Sequence, residues 1–333
     1  MAATIREIAQ KLNISHTTVS RVLSNKKDTF IADETRQRVL DAAKEIGYRP
    51  NLAARSLRDA RTNMVGVFGS PRIRLDTGLI PEIIQGIRSV LSVRHFDLFF
   101  AFSPEGDQIN SALPAWRFDG AIVLQAPMPA TIRHLIEFGQ PFVCINEKID
   151  EAPCILCDEE SATRQSLEYL RSLGHRRIAY ANASSWHFDH YSVQERHDTY
   201  LAWMQEQGAI PVGEHADRTQ GMDRTAFLRR AVIEQKATAV LAYDHVVAVD
   251  VVSAAQRLGL EIPRDFSLLN FNNEFPVEHL APPLTVTAPE SYEMGRLGAE
   301  LLLRRMEAPE EEIPTITRVP AKLILRASTA PER

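Results

Sequence analysis

The stretch TIREIAQKLNISHTTVSRVL, residues 4–23, decides the fold of the N-terminal part of the chain. Thr4 and Glu7 form a capping box, in which each side chain accepts a hydrogen bond from an otherwise unpaired backbone N–H group. Apolar residues follow at helical spacing, so we predict a first helix from about Ile5 to Leu12. After a tight turn, Ser15 is a good N-cap for a second helix. Two short helices joined in this way form a helix-turn-helix.

The outward face of the second helix carries small, polar or basic side chains. These residues are His16, Thr17, Ser20 and Arg21, whereas Val19 can face the first helix. Base edges in the major groove of DNA present hydrogen-bond donors and acceptors that such side chains can read. The face therefore suits a major groove.

A third helix is predicted from about Asp33 to Ile46. Its inward residues include Val39, Leu40 and Ala43, and Gly47 is its C-terminal stop. These three helices together predict a small all-α domain.

The segment YRPNLAARSLRDAR, residues 48–61, predicts a short basic helix that Pro50 can open and on which Leu57 is exposed. An exposed leucine there can wedge between base pairs from the minor groove and kink the duplex. A helix this short is unstable alone in water, so we expect it to order only on DNA and in a dimer.

Charge is distributed unevenly along the 333 residues, whose formal net charge is −5. Residues 1–61 contain 12 Lys and Arg against 7 Asp and Glu, whereas the remainder contains 26 against 36. A basic N-terminal segment followed by an acidic remainder indicates that only the N-terminal segment contacts a polyanion. The alternative is a basic surface that is simply solvated, which is also common.

From Met64 onward, short apolar runs alternate with helical segments, which predicts βα units and a mostly parallel sheet. The strand candidates are MVGVF, FDLFFAF, GAIVLQ, PFVCIN, RRIAYAN, TAVLAY and FSLLNFN. They are numerous enough for two doubly wound subdomains. Ligands of such sheets lie beyond the carboxyl ends of the strands, so the residues just after each strand are the functional candidates.

The chain resembles the LacI/GalR family of bacterial transcriptional regulators. The resemblance is carried first by TIREIAQKLNISHTTVSRVL, by DETRQRVLDAAKEIGYRPNLAARSLR and by the following MVGVF. It implies that bases are read by His16, Thr17 and Arg21. It further implies DNA contacts, near phosphates or in the minor groove, for the following residues: Thr4, Ser15, Thr18, Ser20, Asn25, Asn51, Ala54 and Leu57.

The large domain is similar to the family's effector domain, which has two lobes joined by three crossovers and resembles periplasmic sugar-binding proteins. FDGAIVL, SLGHRRIAY, ERHDTYLAW and RVPAKLILRAS carry this resemblance. It implies crossovers near Ser161, Pro289 and Pro320. The expected domains are a helix-turn-helix at 1–50, a hinge at 51–62 and an effector and dimerisation domain at 63–333. One lobe then comprises about 63–161 and 290–319, and the other about 162–289 and 320–333.

Effector-binding candidates follow from side-chain chemistry and position together. Arg196 offers a fork of donors for hydroxyl or carboxylate oxygens, with a surface arginine as the alternative. Asp244 follows a strand and could accept from hydroxyl groups, or it could cap the next helix instead. Asn272 stands where relatives commonly carry Asp, which weakens a sugar or purine assignment. The remaining candidates are Asp76, Leu79 and Trp186; the last could stack on a sugar or simply pack.

Three cysteines, Cys144, Cys154 and Cys157, give neither a disulfide framework nor a four-ligand zinc site, and we expect them to be inert. We expect no metal and no cofactor. No apolar run is long enough to span a bilayer and no signal peptide is recognisable, so a cytoplasmic protein is expected.

The sequence therefore predicts a transcriptional regulator, with a repressor favoured over an activator. We expect it to bind a near-palindromic operator as a homodimer and to respond to a small effector, for which a carbohydrate is the favoured class. Two alternatives stay open at this point. One is a sugar-binding protein without a regulatory role, and the other is an enzyme on a nucleotide-binding-like sheet. No glycine-rich phosphate loop follows any predicted strand, which speaks against the enzyme.

Overall fold

The structure, a computed structural model, describes residues 4–23, 31–48, 61–69, 78–102, 118–124, 129–183, 190–209, 211–213 and 223–333. The chain forms two compact units, residues 1–62 and 63–333. The described residues of the first unit form only helices and their connections, and those of the second form an α/β unit with two lobes and two largely parallel sheets.

Three helices make up the described part of the first unit. They are α1 (Ile5–Leu12), α2 (His16–Leu23) and α3 (Asp33–Glu45). The predicted capping box is confirmed, because the backbone N–H of Thr4 donates to Glu7 at 2.8 Å and that of Glu7 donates to the Thr4 hydroxyl at 3.3 Å. Asn13 ends α1 in the left-handed region, with φ of 52°, which Asn tolerates better than most residues.

The core of this unit is a single apolar cluster centred on Ile8, Val19 and Val39, all of which are fully buried. The prediction that Leu40 faces inward is wrong, since its side chain is 43% exposed. The inward positions of α3 are instead Val39, Ala42 and Ala43, which lie three and four residues apart and so share one helix face.

The described residues of the second unit form two six-stranded sheets. The strands of the first sheet, in spatial order, are β11 (Ile316–Val319), β5 (Cys154–Cys157), β4 (Phe142–Ile145), β3 (Gly120–Leu124), β1 (Met64–Gly69) and β2 (Asp97–Phe102). Those of the second sheet are β12 (Ala321–Ile324), β10 (Thr285–Pro289), β9 (Ser267–Phe271), β8 (Ala239–Ala242), β6 (Ile178–Ala181) and β7 (Val212–Gly213). All recorded pairings are parallel except the one between β10 and β12.

Helices cover the faces of both sheets. The first sheet packs with α4 (Ile80–Leu91), α5 (Pro129–Glu137) and α10 (Ser291–Glu307). The second packs with α6 (Glu159–Ser172), α7 (Tyr191–Glu206), α8 (Arg224–Leu228) and α9 (His245–Leu258). We call these two assemblies the first lobe and the second lobe. Of the helices that the structure describes, none combines the length and the apolar character that crossing a membrane demands.

The chain passes between the lobes three times. The first passage is at Asp158, between β5 and α6, whereas the sequence suggested a position near Ser161. The second is at Glu290, between β10 and α10, and the third is at Pro320, between β11 and β12. Each lobe is therefore built from segments that are distant in sequence.

Two glycines allow α4 and α10 to touch backbone to backbone within the first lobe. A methyl group built on Gly86 would lie 2.0 Å from the carbonyl oxygen of Tyr292, and one built on Gly295 would lie 2.0 Å from that of Ile83. Real Cβ atoms do not approach carbonyl oxygens this closely, so only glycine permits this helix contact.

Candidate functional site

The outward face of α2 presents the side chains that the sequence assigned to base reading. His16, Thr17 and Arg21 are exposed, whereas Val19 and Val22 on the opposite face are buried against the other helices. Thr17 and Arg21 are four residues apart and so lie on the same face of the helix, and His16 is exposed at its first residue.

Ser15 fixes the start of this helix. Its hydroxyl oxygen accepts from the backbone N–H of Thr18 at 3.0 Å and lies 2.8 Å from the Thr18 hydroxyl. This is the N-cap that the sequence predicted. Several other predicted site residues lie outside the described residues: Asn25, Asn51, Ala54, Leu57, Asp76 and Trp186.

In the second unit, polar residues follow the carboxyl ends of strands in both lobes. They are Asn146 after β4, Asp158 and Glu159 after β5, Asn182 after β6, Asp244 after β8 and Asn272 after β9. We call the region where these strand ends face one another the interlobe cleft. It is where an open α/β sheet binds ligands.

Arg196 on α7 is buried, with only 3% of its surface exposed, rather than lying on the surface. Its Nε and one terminal nitrogen donate to the two carboxylate oxygens of Glu159 at 2.6 and 3.0 Å, and the other terminal nitrogen donates to the backbone oxygen of Tyr243 at 2.7 Å. The guanidinium also lies 4.2 Å from the centre of the Phe271 ring. Through these hydrogen bonds, Arg196 links the N-terminal part of α7 to the first crossover and to the residue that follows β8.

Asp244 and Asn272 occupy strand ends but have different local roles. The Asp244 carboxylate accepts from the backbone N–H of Val247 at 2.8 Å and so caps α9. This is the capping role that the sequence left open beside ligand binding. Asn272 adopts φ of 71°, and its side-chain oxygen is buried without a hydrogen-bond partner among the described residues. An orphaned buried acceptor in a cleft is a position where a ligand donor would be favoured.

Leu79 lines a cavity of about 360 Å³ between the lobes. The first lobe contributes Gly78, Leu79 and Glu82 to it, and the second contributes Glu274. Gly78 packs directly against the Glu274 carboxylate, since a methyl group built on it would lie 2.9 Å from the oxygen Oε2. The same oxygen lies 3.4 Å from Nε2 of His245.

Glu274 is held in a site that disfavours its ionised form. Burial is the main cause, and the negative charges of Asp244 and Glu82 add to it, so that the pKa of Glu274 rises to about 7. The positive charge of Arg196 acts in the opposite direction but does not restore the ordinary value of 4.5. Burial and the two neighbouring carboxylates together therefore outweigh the effect of Arg196 on this carboxyl group.

Replacing Glu274 by Gln is expected to change how stability depends on pH. Because folding raises the pKa of this carboxyl, the folded state loses stability as the pH rises from about 4.5 to about 7. Relative to the wild type, Glu274→Gln should be equally stable near pH 4.5 and more stable at pH 8, by about 3 kcal/mol.

The measurement is thermal unfolding of both proteins across this pH range. Glu310→Gln, which changes an exposed glutamate, is the control and should follow the wild type at every pH. If the difference in stability between Glu274→Gln and the wild type is the same at every pH in the range, the pKa of Glu274 is not raised.

A hydrogen-bonded chain joins strand ends of the two lobes. The Tyr243 hydroxyl lies 2.8 Å from that of Ser192, which lies 2.7 Å from Nδ1 of His190. Nε2 of His190 donates to the backbone oxygen of Asn146 at 2.8 Å. Since a carbonyl can only accept, Nε2 carries the proton in this contact. These side chains therefore form a contact between the lobes, and this contact depends on the relative position of the lobes.

Sequence reasoning missed Glu159, Glu274 and His190 as cleft residues. Glu159 is in the first turn of α6, where an acidic residue is favoured by the helix dipole alone. Its presence in the sequence therefore does not indicate a role in the cleft. Glu274 could have been noticed, because it lies only three residues after the end of a strand that was already a candidate.

The cysteines do not form a reactive pair of the Cys-x-x-Cys kind. Cys154 and Cys157 both lie on β5, and residues three apart in a strand point to opposite faces. All three cysteines are buried and free. Within the described ranges, no group of three or more His, Cys, Asp or Glu side chains is placed to hold a metal ion.

Comparisons with known proteins agree with this architecture. Residues 4–51 match the family described as bacterial regulatory proteins, lacI family, and residues 167–329 match a periplasmic binding protein-like domain. The chain is 26% identical, over 324 residues, to the probable HTH-type transcriptional regulator EndR of Paenibacillus polymyxa, covering 94% of this chain and 93% of that protein.

Two solved structures have a similar fold. One is the Lac repressor dimer bound to operator and the anti-inducer ONPF, with a TM-score of 0.81, 20% identity and coverage of 99% of this chain and 100% of that chain. The other is a complex of the transcriptional regulator CelR with cellobiose, with a TM-score of 0.67, 23% identity and coverage of 98% and 99%.

Proposed function

The chain belongs to the LacI family of bacterial transcriptional regulators, which are not enzymes, and from that premise we propose that it binds a near-palindromic operator under the control of a small-molecule effector. The observation that carries the proposal is the exposed face of α2, where His16, Thr17 and Arg21 stand together above a buried apolar face. A protein that acts on bacterial DNA works in the cytoplasm.

Base reading by α2 follows from the reach of these side chains. Arginine forms two parallel hydrogen bonds to the major-groove edge of guanine, which is the most discriminating contact a side chain makes with DNA. Arg21 is the one arginine of α2. Ser15 and Thr18 lie at the start of α2, and the family resemblance assigns them to positions near phosphates.

Arg21→Ala is expected to lower the preference for operator over random DNA by about 1–3 kcal/mol per half-site, since one base contact is lost. The measurement is competition binding with operator and random duplexes after the operator has been selected from a randomised pool. The fold should be intact, because Arg21 is exposed.

Arg38→Ala is the matched control. It removes the same charge from an exposed position on α3 rather than on α2, so any effect on binding should be similar for operator and random duplexes. If Arg21→Ala behaves like Arg38→Ala, the assigned role of Arg21 in base reading is wrong.

The effector that we propose is a carbohydrate bound in the interlobe cleft. Leu79, Arg196, Asp244 and Asn272 are the described residues that we propose for the site, with Asp76 and Trp186 from outside the described residues. The support is of two kinds. The cleft contains an orphaned acceptor on Asn272 and a cavity large enough for a small ligand. A protein of the same fold is known with cellobiose.

The proposed control mechanism couples lobe position to the operator. Two protomers form a homodimer, and their hinge segments, with Asn51, Ala54 and Leu57, enter the minor groove together only in one relative position of the lobes. An effector that binds one lobe arrangement better than the other shifts the population of DNA-competent dimers. Contacts such as His190 to Asn146, which span the lobes, are those that such a shift would break.

The experiment that tests this proposal combines both activities. Purified full-length protein is incubated with a pool of randomised duplexes, with and without sugars, and the bound DNA is sequenced. We expect enrichment of one near-palindromic sequence and a change in its binding with at least one sugar. An equal, salt-sensitive affinity for every duplex would refute sequence-specific regulation.

A further inference from the structure

The buried cation of the interlobe cleft is already neutralised by a carboxylate of the protein itself. Glu159 binds Arg196 through both of its oxygens, and the two side chains are 2% and 3% exposed. Tyr243 takes a further N–H of the guanidinium through its backbone oxygen. Three of the five N–H groups of Arg196 are thus used inside the protein, and its positive charge is balanced.

Two further cations, on strands next to the third crossover, are also paired with carboxylates, although these pairs are more exposed. Arg318, on β11, binds Glu195 through both terminal nitrogens at 2.7 and 2.9 Å. Lys322, which lines the cavity, lies 2.7 Å from Glu290. These pairs leave little net positive charge to attract an anionic ligand.

Carboxylates, in contrast, accumulate in the cleft. Glu82 and Glu274 line the cavity from opposite lobes, and Asp244 lies close enough to Glu274 to raise its pKa. At an effective dielectric constant of about 20, a ligand carboxylate about 6 Å from one such protein carboxylate would be disfavoured by roughly a hundredfold. An uncharged hydroxyl meets no such penalty and can donate to these oxygens.

We propose that this cleft selects an uncharged polyhydroxyl effector and rejects sugar acids, and that Glu159 is the residue that sets this selectivity by neutralising Arg196. The inference rests on the proposed carbohydrate response and narrows its chemical class. Glu159 acts through Arg196 and is therefore a positioning and charge-balancing residue rather than a contact residue.

The first test uses the wild-type full-length protein and pairs of sugars that differ only in an oxidised carbon. The pairs are D-galactose with D-galacturonate, D-glucose with D-glucuronate, and cellobiose with cellobiouronate, and each acid keeps its sugar ring closed. Thermal shift titrations at pH 8 give an affinity for each, since a ligand of the folded state raises the melting temperature. We expect the uncharged member of at least one pair to bind and its acid partner to bind at least tenfold more weakly.

The outcomes separate this inference from the proposed function. Stronger binding by an acid member overturns the selectivity while leaving a carbohydrate-responsive regulator in place. A failure of every sugar to shift the melting temperature refutes the carbohydrate effector itself, and the selectivity falls with it. Operator selection, which is run with and without sugars, is a separate measurement that neither result decides.

The second test replaces Glu159 by Gln, which keeps the shape and one acceptor oxygen but removes the charge. Arg196 is then a buried cation without a balancing anion, and a ligand carboxylate can supply the missing charge. We expect the uronate that fails to shift the wild type to raise the melting temperature of Glu159→Gln. The matched control is Glu160→Gln, the adjacent exposed glutamate, which should keep the wild-type preference.

If Glu159→Gln folds and still rejects every acid, Glu159 does not set the selectivity. If this variant does not fold, the sugar pairs on the wild type still decide whether the cleft rejects acids. Glu159→Asp then tests the residue itself, since it restores the charge and should retain the rejection of acids.

Discussion

Arg196→Ala is expected to lower the free energy of unfolding of the second unit by about 3–5 kcal/mol. The side chain is one half of a buried ion pair, and its removal leaves the Glu159 carboxylate, which is 2% exposed, without its cation. The stacking of the guanidinium on the Phe271 ring is lost as well. Urea unfolding of the full-length protein, followed by intrinsic fluorescence, measures the effect.

A double variant distinguishes the charge imbalance from a general loss of packing. Arg196→Met combined with Glu159→Met removes both charges and retains apolar volume, so it should recover most of the lost stability, because paired charges in a core can be replaced by apolar groups at little cost. An unfolding midpoint for Arg196→Ala equal to that of the wild type would show that the pair is not buried. Any loss of effector response in Arg196→Ala must therefore be compared with its stability.

Gly86→Ala is expected to destabilise the first lobe by about 3 kcal/mol or more. The new methyl group would lie 2.0 Å from the Tyr292 carbonyl oxygen, so the backbones of α4 and α10 would have to separate. At an unhindered helix position, Gly→Ala would increase the free energy of unfolding by about 1 kcal/mol. The decrease expected at Gly86 is therefore opposite in sign to the effect that helix propensity predicts.

Chemical unfolding again measures the effect, with Gln85→Ala as the control. Gln85 is the preceding residue of α4 and is exposed, so its replacement should change stability by no more than about 0.5 kcal/mol. Gly295→Ala should match Gly86→Ala, because its methyl group would meet the Ile83 carbonyl oxygen at the same distance. A wild-type midpoint for either glycine variant would contradict the close helix contact.

The first helices were predictable from sequence because their determinants are local. The capping box at Thr4 and Glu7 and the apolar spacing of α1 lie within eight residues of one another, and the structure reproduces the predicted bounds Ile5–Leu12. Leu40 shows the limit of this reasoning. A helix of apolar and charged residues in α3 has more than one possible inward face, and contact with α1 and α2 selects the one with Val39 and Ala43.

The cleft was predictable in position but not in its electrostatics. Residues after strands were chosen as candidates because parallel strands place their carboxyl ends at one edge of a sheet, and the structure places Asp244 and Asn272 at such strand ends. The partner of Arg196, however, is 37 residues away in sequence, at the first residue after the first crossover. Nothing in the sequence near Glu159 or Arg196 distinguishes a buried pair from two solvated side chains, so the charge balance of the cleft required the three-dimensional structure.

The three passages between the lobes also dictate an order of events on the ribosome. Residues 64–157 supply five strands of the first sheet, but α10 and β11, which complete that lobe, are made only after nearly the whole second lobe has been synthesised. Until residue 307 has emerged, the apolar side of α4 around Ile83 and Ile87 has no partner helix. The nascent first lobe must therefore remain incomplete while the second is translated, an interval in which its exposed surface is open to chaperones and to aggregation.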